Sequence, residues 1–180
     1  MIKKILLVLA LILVVFCIIA ALQPANFAIT RSVLITAPPS AVATHVNDLH
    51  LWEGWSPWAK LDPNMTVTYG GPAAGEGATY HWVGNNEVGE GKMTITESRM
   101  PELVGLRLEF MKPFAATNHT EFTFQPQGNG TAVTWTMTGT KNFMMKAAHL
   151  VMNIEKKVGG DFEKGLAQLK AVSEASAPKG

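Results

Sequence analysis

The chain has almost no cysteine: Cys17 is the single residue of its type among 180. An intramolecular disulfide and a cysteine-based metal site are therefore excluded. Neither sign of charge is in excess. Fifteen Lys and Arg stand against 14 Asp and Glu, and two of the bases, Lys3 and Lys4, lie ahead of an apolar N-terminus. The remainder is close to neutral and has no basic run, which argues against a nucleic-acid partner. Catalytic signatures are missing too. No HExxH is present, and His45 and His50 flank Asp48 without regular ligand spacing, so no metal and no other cofactor is expected. The glycines at 70, 71, 75 and 77 are not followed by Gly-Lys-Ser/Thr and read as turns. Ser56, Ser98 and Ser173 lack the context of a nucleophile elbow. No internal repeat and no second domain is visible.

What is present begins with an unbroken apolar run of 18 residues, from Ile5 to Leu22, closed by Pro24. At 1.5 Å per residue it reaches about 27 Å, enough to cross a hydrocarbon core. It contains no charge, each of which would cost roughly 2.5–3.5 kcal/mol at the helix centre. Residues 1–24 thus read as a single-pass membrane anchor, with Lys3 and Lys4 holding the N-terminus on the cytoplasmic side and the domain extracytoplasmic. A cleaved signal peptide is the rival reading. Its apolar region is normally shorter, and Ala20-Ala21-Leu22 fits a small-x-small cleavage site poorly.

Beyond the anchor, residues 27–35 alternate as a strand. Pro38 and Pro39 break it, and Ser40 is placed to cap a short helix over 41–47. The Trp-rich stretch at 52–58 reads as a second helical turn. Strands follow over 65–69, 78–83, 91–100, 103–110, 117–125 and 131–140. The tail changes to a helical period over 143–157 and 161–173, with Gly159-Gly160 as a possible kink, and 175–180 is expected to fray. The pattern is α+β: antiparallel strands with one apolar face, covered by a long C-terminal helix.

Successive strand residues alternate between faces. Tyr80 and Trp82 therefore point inward from one strand, Met93 and Ile95 from the next, and Leu106, Leu108 and Phe110 from the third. Thr120 and Phe122 join them, then Trp135 and Met137, and Phe162 from the helix. Arg107, Glu109, His119, Glu121 and His81 fall on the outer face, where they read as solvated surface or as a docking row. The inner wall is large, apolar and aromatic. It either fills a solid core or lines a pocket, in which Tyr80 and Thr120 are the groups able to orient a ligand. Trp52, Trp55 and Trp58 either seat the short helices under the sheet or form an aromatic rim at the mouth.

Five stretches carry a family resemblance. They are Arg31-Ser-Val-Leu-Ile-Thr-Ala-Pro38, Trp52-x-x-Trp55-Ser-Pro-Trp58, Leu61-Asp-Pro63, Gly75-x-Gly77-Ala-x-Tyr80-x-Trp82 and the tail 160–170. In this order the chain resembles the membrane-anchored branch of the SRPBCC superfamily, the polyketide cyclase/dehydrase and lipid-transport group related to START domains. The resemblance implies a helix-grip fold over residues 25–174: an antiparallel sheet of six or seven strands wrapped around the long C-terminal helix, with a hydrophobic cavity between. It implies binding of a hydrophobic small molecule or lipid, and it brings no catalytic residues. A ligand-free accessory module and a cyclase/dehydratase-like enzyme are the alternatives. No protein partner is indicated.

Overall fold

A computed structural model describes residues 1–176. The N-terminal run forms helix α1, Ile2–Leu22, the one helix among the described residues long and apolar enough to cross a membrane. The rest of the described residues form one sheet and three further α-helices. Strands β1 (Asn26–Ile35), β2 (Thr66–Gly70), β3 (Thr79–Val83), β4 (Glu90–Arg99), β5 (Leu103–Lys112), β6 (Ala116–Gln127) and β7 (Gly130–Thr140) pair antiparallel throughout, in the order β1-β7-β6-β5-β4-β3-β2. A register shift between Ile95 and Glu97 on β4 helps the sheet to curl. Helix α2, Pro39–Asn47, and a 3-10 turn over Leu49–Gly54 link β1 to β2, while α3 (Phe143–Val151) and α4 (Ile154–Ser176) follow β7. The sheet wraps α4 in the helix-grip arrangement that the resemblance implies, with seven strands.

Alternation decided which face is buried, as expected. Ile29, Ile35, Ile95, Leu106, Phe122, Phe124, Val133 and Trp135 are buried on the inner face, against Phe162, Leu166 and Leu169 of α4. On the outer face Arg107 pairs with Glu109 at 3.2 Å, and His119 is exposed. The terminal helix is fastened to β1 near its middle and, close to its C-terminal end, to the residue that follows β1. Arg31 Nε donates to Glu163 at 2.7 Å, and the backbone N–H of Thr36 donates to Glu174 at 2.7 Å.

Three local expectations are corrected. Ser40 does not cap α2. The helix begins two residues earlier, with Pro39 at its first position, and no side chain caps it. Proline fits there because its missing N–H would have no intrahelical acceptor. The long tail helix is interrupted at Met152-Asn153 and not at the glycine pair. Asn153 Oδ1 accepts from the backbone of Lys156 at 3.0 Å and starts a new helix there. Gly159 and Gly160 then lie inside α4. A side chain at 159 would collide with the Arg31 guanidinium, so the glycine serves a close approach to β1. Finally, α4 runs through Ser176, two residues into the stretch expected to fray; positions 177–180 of that stretch lie outside the described residues.

Candidate functional site

The interior of the cup is unevenly filled. At the end where β1 meets α2, Val42, Val46, Leu49, Trp52 and Trp55 plug the space under the sheet against Phe122 and Phe124. The indole N–H groups of Trp52 and Trp55 donate to the carbonyls of Val46 and His45 at 2.9 and 3.0 Å, which satisfies the C-terminal end of α2. Trp55 packs edge-on to Phe122 and Trp135, with centroids 6.0 and 5.9 Å away. Pairs of this kind add about 0.5–1.5 kcal/mol each beyond their buried area.

At the opposite end the cup is hollow. A cavity of about 300 Å³ lies between the sheet, α3 and the start of α4. Of the residues expected to line it, Tyr80, Trp82, Met93, Leu106, Leu108, Phe110, Thr120, Trp135, Met137 and Phe162 do. Ile95 and Phe122 do not; both are fully buried in the plug. The three tryptophans divide. Trp52 and Trp58 border the cavity, whereas Trp55 is fully buried and belongs to the packing cluster alone. Trp135 forms the floor between the two halves, stacked on Phe162 with centroids 3.9 Å apart and planes 5° from parallel.

The mouth is held in shape by two anchored loops. Asp62 is buried and accepts from the backbone N–H groups of Asn64 at 2.9 Å and Asn85 at 2.6 Å. The Trp82 indole donates to the Val88 carbonyl at 3.0 Å, which pins the 84–89 loop over the cavity. Gly91 leaves room for the Trp82 ring, since a side chain there would strike it.

Polar groups on the cavity wall are few. Tyr80 packs edge-on to Tyr69, and burial, followed by the neighbouring Tyr69 and Glu53, pushes its hydroxyl up to about 12. It is a permanent donor at ordinary pH and not a base. Asn118 and His149 also line the cavity, and neither was expected. Asn118 is 6% exposed and Trp135 2%. Asn118 donates through Nδ2 to the Met137 sulfur at 3.7 Å. Among the described residues, Asn118 Oδ1 and Trp135 Nε1 find no hydrogen-bonding partner. Strand alternation carried the signal for Asn118, which lies two residues before Thr120 and so on the same face. His149 and Met145 lie one turn apart on α3 and share its inward side. Burial, with Lys141 adding to it, lowers the His149 pKa, while Glu155 opposes the shift. The other histidines lie elsewhere. His45 sits on α2, and His50 pairs with Asp48 at 2.9 Å and stacks on Tyr69 with centroids 4.1 Å apart. His81 approaches Glu90 at 3.7 Å on the outer face.

The arrangement resembles solved structures at the level of fold. Aha1 from Colwellia psychrerythraea, solved as a dimer, aligns with a TM-score of 0.60 at 16% identity, covering 86% of this chain and 99% of that one. Protein CV1439 from Chromobacterium violaceum aligns with a TM-score of 0.58 at 16% identity, covering 84% and 99%. Protein Ms6760 from Mycobacterium smegmatis gives 0.57 at 19% identity, covering 83% and 92%. No curated protein matches. The family described as polyketide cyclase/dehydrase and lipid transport matches residues 26–174, nearly the whole chain beyond α1, and the chain belongs to that family.

Proposed function

We propose that this chain is a membrane-anchored binding protein that holds one hydrophobic small molecule, or the apolar part of a lipid, in the hollow half of its helix-grip domain. The observation that carries the reading is the cavity of about 300 Å³, walled by Trp, Phe, Leu and Met side chains. That volume is at the low end of the roughly 300–1,000 Å³ range of small-molecule sites. It suits a single compact lipophile better than a whole two-chain phospholipid. The unpartnered Asn118 Oδ1 and Trp135 Nε1 add an acceptor and a donor. Buried polar groups without partners cost about 1–3 kcal/mol each. A ligand bearing one hydroxyl or carbonyl group would offset part of that cost. In this reading α1 is the anchor, Lys3 and Lys4 stay cytoplasmic, and the cup stands on the far side of the membrane.

The test is native mass spectrometry of the full chain released from mild detergent. The expected spectrum shows an apolar adduct on the native protein and none on a folded Leu108→Trp variant, whose indole would occupy the cavity. A bare wild-type protein that also takes up nothing from a total lipid extract would reject the reading. The cyclase/dehydratase reading has one observation in its favour: His149 places an imidazole, held toward its neutral form, on the cavity wall. It predicts a turnover that His149→Ala abolishes, with folding unchanged.

A further inference from the structure

We propose that α3 and the β5–β6 turn form a rim that inserts into the lipid headgroup layer, so that the cavity exchanges its ligand directly with the membrane. The inference rests on the anchoring role of α1 proposed above.

The first observation is the length of the tether. Only Gln23, Pro24 and Ala25 separate the end of α1 from β1. At 3.3–3.6 Å per residue, the four steps from Leu22 to Asn26 span at most roughly 14 Å. The headgroup region on each side of a bilayer is itself about 5–7 Å thick. The end of the sheet where β1 begins is therefore kept at the membrane surface.

The second observation is what else lies at that end. Asn26 pairs with Thr140, and the Lys141 N–H donates to the Ala25 carbonyl at 2.7 Å, which places the start of α3 beside the tether. Lys146 Nζ reaches the Ala21 carbonyl at 3.2 Å, so α3 lies against the last turn of α1. Phe110 pairs with Ala116, and Asn118 with Gly139, so the turn at 111–115 is at the same level. The cavity is bordered there by Phe27, Met145 and His149. Tether, α3, turn and cavity mouth thus share one edge of the molecule.

The third observation concerns α3 itself. Its inward side gives Met145 and His149 to the cavity. Its outward side is also apolar: Met144 is 72% exposed and Val151 76%, although α1 is in place beside them. Phe114, on the adjacent turn, is 78% exposed. Apart from Lys146 and His149 the helix is apolar, and so apolar a surface normally lies buried in protein or lipid, yet no residue of α3 is buried. Lys141, Lys146, Lys156 and Lys157 supply bases close to this apolar edge, with Glu155 among them. An apolar face combined with lysines suits the boundary between headgroups and acyl chains, where such helices sit about 5–10 Å deep. The occupant that fits is a lipid monolayer carrying anionic headgroups.

The test uses the full chain in vesicles of phosphatidylcholine and phosphatidylglycerol. Cys17→Ala removes the native thiol, and single cysteines are introduced by Ile12→Cys, Phe114→Cys, Met144→Cys, Val151→Cys and Asn129→Cys. Each carries an environment-sensitive fluorophore. The positions are exposed, so labelling leaves the core intact. The expected result is loss of emission at 12, 114, 144 and 151 with a lipid-borne quencher, and at 129, on the opposite end of the sheet, only with aqueous iodide. Lipid quenching at 12 alone, with 114, 144 and 151 behaving like 129, would overturn the rim and leave the anchor standing. Iodide quenching at 12 as well would overturn the anchor and the rim together.

Discussion

The two halves of the cup are made from the same strands and the same kinds of residue, yet one is solid and the other hollow. Phe122 and Met137 lie on neighbouring strands, both pointing inward. Phe122 meets Trp52, Trp55 and Trp135, while Met137 faces the cavity. The difference comes from what lies opposite. Helix α2 and the 3-10 turn bring two large indoles under the sheet at one end. At the other, α3 spans the opening with one Met and one His facing in. The inner face of a sheet is a surface, and its partner decides whether that surface becomes core or pocket wall.

The largest effect is expected where the plug is cut. Phe122→Ala removes a fully buried ring from a packed cluster and should cost about 3–5 kcal/mol in chemical denaturation. Met137→Ala, on the hollow side, should fall near the lower limit of the roughly 2–5 kcal/mol for such truncations, because fewer atoms lose contacts. Equal losses at the two positions would break the comparison.

Filling the hollow should separate folding from binding. Leu108→Trp places a large ring where there is space, so its cost should fall near the lower limit of the roughly 1–3 kcal/mol of small-to-large substitutions, while apolar ligand uptake is lost. A smaller effect is expected at the polar end of the cavity. Asn118→Leu removes a group whose oxygen is unpartnered and should leave thermal stability level or slightly raised. It should weaken binding of hydroxyl- or carbonyl-bearing lipophiles more than of plain hydrocarbons, which a competition assay would read.

The smallest expected effect is a pH slope. Burial lowers the pKa of His45 and His149 below 6.5. The unfolded chain therefore binds more protons than the native one just below that pH, and stability falls as pH falls through this window. Glu90 and Glu174 are also lowered from 4.5, chiefly by Lys112 and by the Thr36 backbone N–H, so the decline continues below that value. Denaturation midpoints should thus decrease steadily from neutral to acid pH. The double variant His45→Gln and His149→Gln should flatten the upper part of the slope.

Much of this was legible in the residues. Period-two alternation placed Tyr80, Trp82, Leu106, Leu108, Thr120 and Trp135 on the inner wall, and the apolar run announced α1. What alternation could not supply was the depth of each residue along the cup. Ile95 and Phe122 obey the same rule as Met93 and Thr120, yet Phe122 meets the tryptophans and Ile95 is fully buried away from the open space. Asn118 obeyed the rule too, but a polar residue at a strand's start carries no apolar signal to draw attention to it. The break at Asn153 competed with a more conspicuous glycine pair. Gly159 is explained by a contact with Arg31 on β1, a residue far away in sequence.

The central claim is that an apolar ligand enters the hollow half and leaves the plugged half untouched. Four methionines line the cavity, Met65, Met93, Met137 and Met145, whereas Met100 sits on the β4–β5 turn at the other end. Methyl-labelled methionine spectra of the full chain in lipid nanodiscs, titrated with a small neutral lipophile, address the claim directly. Saturable shifts at Met93 and Met137 with a stationary Met100 are the predicted result. Stationary signals at Met93 and Met137, or shifts of equal size at all positions, would contradict it.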